Sequence, residues 1–407
     1  QMDDNRRDTL EIIPEEELAR KLERSRRTGE PLVVKQGFDP TRPDLHIGHA
    51  VSIRKLRTFQ QLGHDVVFVV GDYTARVGDP SGRSETRPRL TPEEIAANAA
   101  TYAQQVGRLL DVSKVRVEHN SSWLAPLDLA SLLELTATYT VARMLERDDF
   151  AKRYVEQRPI SVMEFMYPLM QAYDSVALHA DVELGGSDQK FNLLVARTVQ
   201  ERYGQEPQVC LVMPLLRGTD GEQKMSKSYD NYIGISEPAT EQFGKAMSAP
   251  DVLLEEWIRL AAPLAPAELD EALLQAAADP YRAKRELARR IAALYHGADE
   301  AAAAEAHFDR LFRQHAPPEE VAEKRISLGD ERLRVAERGG VWLPGLLVAA
   351  GLASSNAEAA RLIEQGAVAV DEQRVDDRNA VIAAHSSGPA ILLRRGKRQF
   401  IRVAFEP

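Results

Sequence analysis

Two lysines stand three residues apart in the pentad KMSKS, Lys224 to Ser228, inside GTDGEQKMSKSYDN. Ammonium groups flanked by hydroxyls and glycines suit either a solvated turn or a loop that closes on phosphate. Far upstream, His46-Ile47-Gly48-His49 stands where the loop DPTRPDL runs into a stretch of helical periodicity. Three arrangements fit two histidines at this spacing. They could be metal ligands, although two ligands without a nearby acid cluster make a poor zinc site. They could be structural residues of a first helical turn. They could also serve an anion site, where free N–H groups and the positive dipole end of a helix meet phosphate. In that case Gly48 removes side-chain bulk and lets a flat nucleotide approach the backbone. No GxGxxG follows the first strand and no GxxxxGK[ST] occurs, so neither a dinucleotide fingerprint nor a P-loop is supported.

The elements that must position these groups are legible around them. PLVVKQGF reads as a buried strand, HIGHAVSIRKLRTFQQLG as a helix ending at Gly63, and DVVFVVGD as a second strand. Strand, helix and strand within some forty residues form a βαβ unit, hence a parallel sheet. Residues 15–30 predict an amphipathic helix ending at Gly29. Thr91-Pro92-Glu93-Glu94 starts another helix, with an N-cap, a proline at N1 and an acid at N3. Residues 123–160 read as helical. SVMEFMYPLMQAYDSVALH is a further helix, expected to begin near Pro168 because proline is poorly tolerated in a helix interior. ADVELGGSDQ is strand then turn, KFNLLVARTVQERYG a helix, and VCLVMPLL a final strand. From 232 to 330 the pattern is helical and alanine-rich, with no convincing strand. After Gly339-Gly340 a helix capped by Ser355 and Glu358 and closed by Gly366 precedes short alternating strands.

With 407 residues the chain holds two or three domains. No apolar run is long enough to span a membrane, and the charged N-terminal stretch lacks the apolar core of a secretory signal. The one cysteine, Cys210, forms no internal disulfide or cysteine metal cage, which fits a reducing cytoplasm. A net charge of −10 argues against non-specific coating of nucleic acid but leaves room for a local basic patch. Such a patch appears in ILLRRGKRQFIR, with Arg394, Arg395, Lys397, Arg398 and Arg402 uninterrupted by acids.

Taken together, DPTRPDLHIGHA and a perfect KMSKS, in that order on a βαβ chain, resemble the two signature motifs of class I aminoacyl-tRNA synthetases. EFMYPLMQAYDSVAL followed by ELGGSDQ resembles the tyrosyl-tRNA synthetase branch. On a helix Tyr167, Gln171 and Asp174 share one face, a polar stripe among apolar neighbours such as Met163, Phe165 and Leu169. The resemblance implies a Rossmann-like catalytic domain over 1–231 with a helical dimerisation insertion at about 120–165. An α-helical anticodon-arm-binding domain would follow over 232–335, and a small α+β domain like the S4 RNA-binding fold over 341–407.

The same resemblance implies site roles. Thr41, His46, His49, Lys224 and Lys227 would act on the phosphates. Asp174 would accept the phenol O–H of tyrosine. Asp79, Tyr167 and Gln171 would surround its ammonium, with Thr74 and Gln189 nearby. Gly37, Asp39, Gly48, Gly186, Asp188 and Met225 would line the ATP and adenylate site, with Arg83 and Arg87 meeting pyrophosphate. Arg394, Arg395, Lys397 and Arg398 would contact RNA. The implied partners are L-tyrosine, Mg-ATP, tRNA(Tyr) and a second copy of the chain, with no protein-ligated metal and no membrane. The chain departs from better-known members at Lys35, where they often carry tyrosine. Lysine there would donate to the phenol oxygen or pair with Asp174, or be an ordinary strand residue. A tryptophanyl enzyme, another HIGH-superfamily nucleotidyltransferase and an RNA-binding protein on an inactive scaffold are the alternatives.

Overall fold

The computed structural model describes residues 1–81, 90–262, 264–312, 322–334, 340–371, 373–384, 390–396 and 399–406. The chain divides into two compact units, residues 1–301 and 302–407.

The first unit is built on a six-stranded sheet. Its strands are β1 (Glu11–Ile13), β2 (Val33–Phe38), β3 (Asp65–Val70), β4 (Val115–His119), β5 (Val182–Gly186) and β6 (Val209–Met213), in the order β1-β6-β5-β2-β3-β4. β1 runs antiparallel on the edge and the other five are parallel. The apolar runs of β3 and β6 are buried on both faces, as parallel strands covered by helices require. β1 and β4 were not foreseen. Both are short edge elements with half-exposed patterns, so neither carries an apolar run.

The strand order reverses between β2 and β5. Their ladder holds two pairs, Val34↔Val182 and Lys35↔Glu183, and beyond them the strand ends part. Open α/β sheets bind ligands outside the carboxyl ends of the strands at such a switch point.

The region 123–160 is not one continuous helical run. It forms short helices at Ser121–Leu124, Leu129–Ala137, Val141–Met144 and Asp148–Val155. Pro126 interrupts the first junction, and Asp128 and Thr140 cap new starts by accepting from the N–H groups of Ser131 and Arg143. The helix carrying the polar stripe begins at Val162, six residues before the proline, and runs to Leu178. A capping box outweighs the proline: Ser161 accepts from Met163 N–H, and Glu164 accepts from Ser161 N–H at 2.9 Å. The Arg153 guanidinium also binds Glu164, fixing the turn ahead of Pro168.

In the second unit, β7 (Glu323–Ser327), β8 (Gly340–Trp342), β9 (Val368–Val370), β10 (Gln373–Val375), β11 (Val381–Ala383), β12 (Ile391–Arg395) and β13 (Gln399–Glu406) form a five-stranded sheet, β10-β9-β12-β13-β7, and a β11-β8 pair. β7 lies in the stretch expected to lack strands. It pairs in parallel with β13 and buries only Ile326, so its signal is long-range. The helices Leu343–Ala350 and Asn356–Glu364 pack Leu346, Leu347 and Ile363 against Leu393 and Val403. Ser355 caps the second helix as expected, while the Glu358 carboxylate reaches Ser354 instead.

Candidate active site

A cavity of about 790 Å³ opens at the β2/β5 switch point. Its walls include Gly37, Asp39, Thr41, His46, Gly48, His49, Thr74, Asp79, Tyr167, Gln171, Asp174, Gly186, Asp188, Gln189, Lys224, Met225 and Lys227. Residues spread over some 190 positions therefore face one space. Among the predicted residues, Lys35 lies outside this wall, and Arg83 and Arg87 lie outside the described residues.

Backbone pairing brings the two signature motifs together. Ile47 N–H donates to Ile233 O at 3.0 Å, Ile235 N–H donates to Leu45 O at 3.0 Å, and His46 bridges Gly234. The segment that follows KMSKS is thus stitched to the segment that opens the helix Ile47–Gln61. The imidazoles of His46 and His49 stack 3.7 Å apart over the N-terminus of that helix. Burial, aided by Lys227 and Lys224, lowers His49 to about 3 and holds His46 well below its ordinary value, with His49 an additional cause there, so both rings are neutral. His49 Nδ1 accepts from His46 N–H at 3.3 Å, which places its proton on Nε2 as a donor. His46 Nδ1 is buried with no hydrogen-bond partner among the described residues. A Cβ on Gly48 would sit 3.0 Å from that nitrogen, so glycine keeps this corner open.

The lysines occupy different places on the facing loop. Lys224 Nζ donates to Asp188 Oδ2 at 2.6 Å. Lys227 lies 5.9 Å from the Tyr102 ring centre and donates to Arg42 O at 3.4 Å; burial lowers it to about 8. Ser226 caps the turn Lys227–Tyr229, and Asn231 Oδ1 accepts from Ser226 N–H at 2.8 Å, so the loop has a defined conformation.

The far end of the cavity is a hydrogen-bonded carboxylate pocket. Trp123 Nε1 donates to Asp174 Oδ1 at 2.8 Å and Asn120 Nδ2 to Oδ2 at 3.3 Å. Burial pushes the Asp174 carboxyl up to about 7, against the lowering pull of Lys35 and these two donors. Tyr167 O–H and Thr74 O–H both donate to Asp39, at 2.8 and 2.7 Å. A Cβ on Gly71 would lie 2.1 Å from Asp39 Oδ1 and 2.5 Å from Thr74 Oγ1, so any larger residue would displace this hydrogen-bonded pair. Lys35 pairs with neither a cavity group nor Asp174. Its ammonium binds Glu183 at 2.7 Å, with both side chains buried. Glu183 also accepts from Gln171, Ser175 and Gln208.

Sequence reasoning did not single out Glu183, Asn120, Trp123, Asn192 or Arg147. The first was visible as an acid inside an otherwise apolar strand. The others carry no local signal, because their partners lie on other elements.

In the second unit Arg395 donates to Leu352 O at 2.6 Å and to Glu358 at 2.9 Å, closing the C-terminal end of the helix Leu343–Ala350. Arg394 is half-buried on the same strand, and Lys397 and Arg398 lie outside the described residues.

A parallel sheet with its ligand crevice at the switch point, a histidine-bearing helix N-terminus and a lysine loop stitched opposite define a class I aminoacyl-tRNA synthetase. Residues 27–313 match the family of tRNA synthetases class I (W and Y), and the chain belongs to it. Residues 333–403 match the tyrosine–tRNA ligase SYY-like C-terminal domain. The tyrosine–tRNA ligase of Moorella thermoacetica is 52% identical across 98% of this chain and 94% of the relative. That of Geobacter sulfurreducens is 50% identical across 98% and 97%. Among solved structures, the tyrosyl-tRNA synthetase of Archaeoglobus fulgidus complexed with L-tyrosine superposes with a TM-score of 0.60 at 26% identity, covering 75% of this chain and 98% of that one.

Proposed function

We infer that the chain is a tyrosine–tRNA ligase that activates L-tyrosine with ATP and transfers it to the 3′ end of tRNA(Tyr). The observation that carries the reading is the convergence of the neutral His46/His49 pair and the Lys224/Lys227 loop on one cavity whose far end is the Asp174 pocket. The tyrosine carboxylate attacks the α-phosphate of Mg-ATP in line and pyrophosphate leaves; a hydroxyl of the terminal adenosine of the tRNA then attacks the tyrosyl carbonyl of the adenylate, forming the ester and releasing AMP. No protein nucleophile is required. Catalysis comes from positioning and from charge stabilisation by His49 Nε2–H, the helix N-terminus and the loop lysines. The Asp174 carboxylate takes the phenol O–H. A ligand lacking that hydroxyl leaves a buried acceptor without its donor, and this sets the preference over phenylalanine.

Further parts of the reading concern assembly and RNA. Leu129, Leu133, Val141, Tyr154, Val155 and Val162 are 61% to 80% exposed in the helical insertion, which supports a homodimer formed through it. Residues 232–335 would contact the anticodon arm, and the module at 341–407, with Arg394 at its basic edge, would contact RNA. Among the described residues no helix is long and apolar enough to cross a membrane, and a cytoplasmic location suits the substrates. Tyrosine-dependent ATP–pyrophosphate exchange, with tryptophan as control, tests the assignment. Exchange driven by tryptophan, or by neither amino acid, removes it.

A further inference from the structure

The Arg147 guanidinium belongs to no element of the sheet. It stands at the N-terminus of the helix Asp148–Val155 in the helical insertion, and its side chain is 5% exposed. It reaches three groups. Nη2 lies 3.6 Å from Asp79 Oδ1, Nε binds Asp149 Oδ1 at 2.8 Å, and Nη1 donates to Asn192 Oδ1 at 3.2 Å.

That last bond has directional consequences, because a guanidinium has donors and no acceptor. Asn192 must present its oxygen to Arg147, so its Nδ2 points the other way. There it donates to Gln171 Oε1 and Gln189 Oε1, each at 3.0 Å. The two glutamines are oriented in turn. Gln189 Nε2 donates to Asp79 Oδ2 at 2.7 Å, and Gln171 Nε2 donates to Glu183 Oε1 at 3.0 Å. The arginine at one end and the carboxylates of Asp79 and Glu183 at the other thereby fix the sense of three amides. Burial works to raise the Asp79 carboxyl, but Arg147, Ser81 and Gln189 together hold it below the ordinary carboxylate value. The cluster of Arg147, Asp79 and Asp149 carries a formal charge of −1, which one substrate ammonium would neutralise.

We propose that Arg147 is a positioning residue that orients Asp79, Gln171 and Gln189 to receive the α-ammonium of the amino acid. The proposal rests on the tyrosine reading of the cavity. Its ligand chemistry is a primary ammonium beside a phenol, and the insertion, not the sheet, supplies the orienting group. Without the arginine, Asn192 loses its fixed sense and the two glutamines lose one of their two anchors, so their oxygens are held less firmly toward the ammonium, and tyrosine affinity falls while the phenol and ATP subsites keep their contacts.

The test compares L-tyrosine with 3-(4-hydroxyphenyl)propionate, which has the phenol and the carboxylate but no ammonium, as competing ligands in pyrophosphate exchange. Arg147→Met should weaken tyrosine about 10- to 100-fold, the loss of one to two charge-assisted hydrogen bonds. The deaminated analogue, the KM for ATP and kcat at saturating tyrosine should move no more than a few-fold. Arg147→Lys keeps the charge without the fork and should fall between Met and wild type. Asn192→Ala leaves the ion pairs in place and should show the same selectivity; if the arginine variants do not fold, it decides the question. Equal weakening of both ligands, a change in kcat alone, or no change in tyrosine affinity overturns the proposal. Wild-type protein without tyrosine-dependent exchange would instead remove the functional reading beneath it.

Discussion

Lys35 Nζ lies 2.7 Å from Glu183 Oε1, and the two residues are register partners in the last pair that joins β2 to β5. The pair lies behind the cavity wall, at the point where the strands part, and Glu183 reaches that wall by accepting from Gln171. Removing one partner of a buried ion pair typically destabilises by about 3–5 kcal/mol, because the other charge is left uncompensated. Lys35→Met and Glu183→Gln should each lower stability by that order in urea unfolding. The double variant should lose much less than the sum of the two. Additive losses would show that the pair is not a unit.

Asp174 gives the protein a measurable pH signature. Its carboxyl is raised to about 7 by burial, while an unfolded aspartate titrates near about 3.9. Between those values the folded chain holds a proton that the unfolded chain does not. Stability therefore falls as pH rises through this window, by up to about 4 kcal/mol. Urea midpoints at pH 5 and pH 8 should differ in that sense, and Asp174→Asn should flatten the difference.

Tyrosine recognition should run against that stability trend. On the proposed role, in which the phenol O–H donates to an ionised Asp174, KM for tyrosine should rise as pH drops below about 7 while KM for ATP stays level. A tyrosine KM that is flat from pH 6 to 9 would sink this role for Asp174.

The loop lysines should separate binding from chemistry. A lysine about 4 Å from a phosphate charge gains roughly 4 kcal/mol at an effective dielectric near 20, about a thousandfold in rate if realised only in the transition state. Lys227→Ala should therefore lower kcat for activation far more than it weakens tyrosine. Burial lowers Lys227 to about 8, so its charge, and with it the wild-type activation rate, should decline above that pH. Lys227→Arg should move the decline to higher pH. Lys224 is held by Asp188 at 2.6 Å, so Asp188→Asn should raise KM for ATP and weaken the hold on this lysine together.

The exposed apolar side chains of the insertion make assembly testable by substitution. Leu133→Asp with Val155→Asp should convert a dimer to a monomer in sedimentation velocity with little change in the monomer's unfolding midpoint. Unchanged sedimentation would remove the insertion as the interface.

Local pattern carried a large part of this protein. The runs DVVFVV and VCLVM determine buried strands because their burial is nearly continuous along the chain, and VVKQGF is buried through its middle. The caps at Thr91 and Ser355 and the glycine at 29 determine helix ends because the groups that satisfy the backbone lie within a turn. HIGH, KMSKS and the Tyr167–Gln171–Asp174 stripe pointed to the family through their resemblance to its motifs, while residue type and spacing alone left several chemistries open. Tertiary structure decided what depends on distant partners. It paired Lys35 with Glu183 and not with Asp174, since neighbouring parallel strands set which side chains meet. It broke 123–160 into four short helices and let the next one start ahead of Pro168, since capping outweighed the local aversion to proline. It also brought Arg147 to Asp79 and Asn192. Electrostatics and amide orientation act through space, and no periodicity along the chain encodes them.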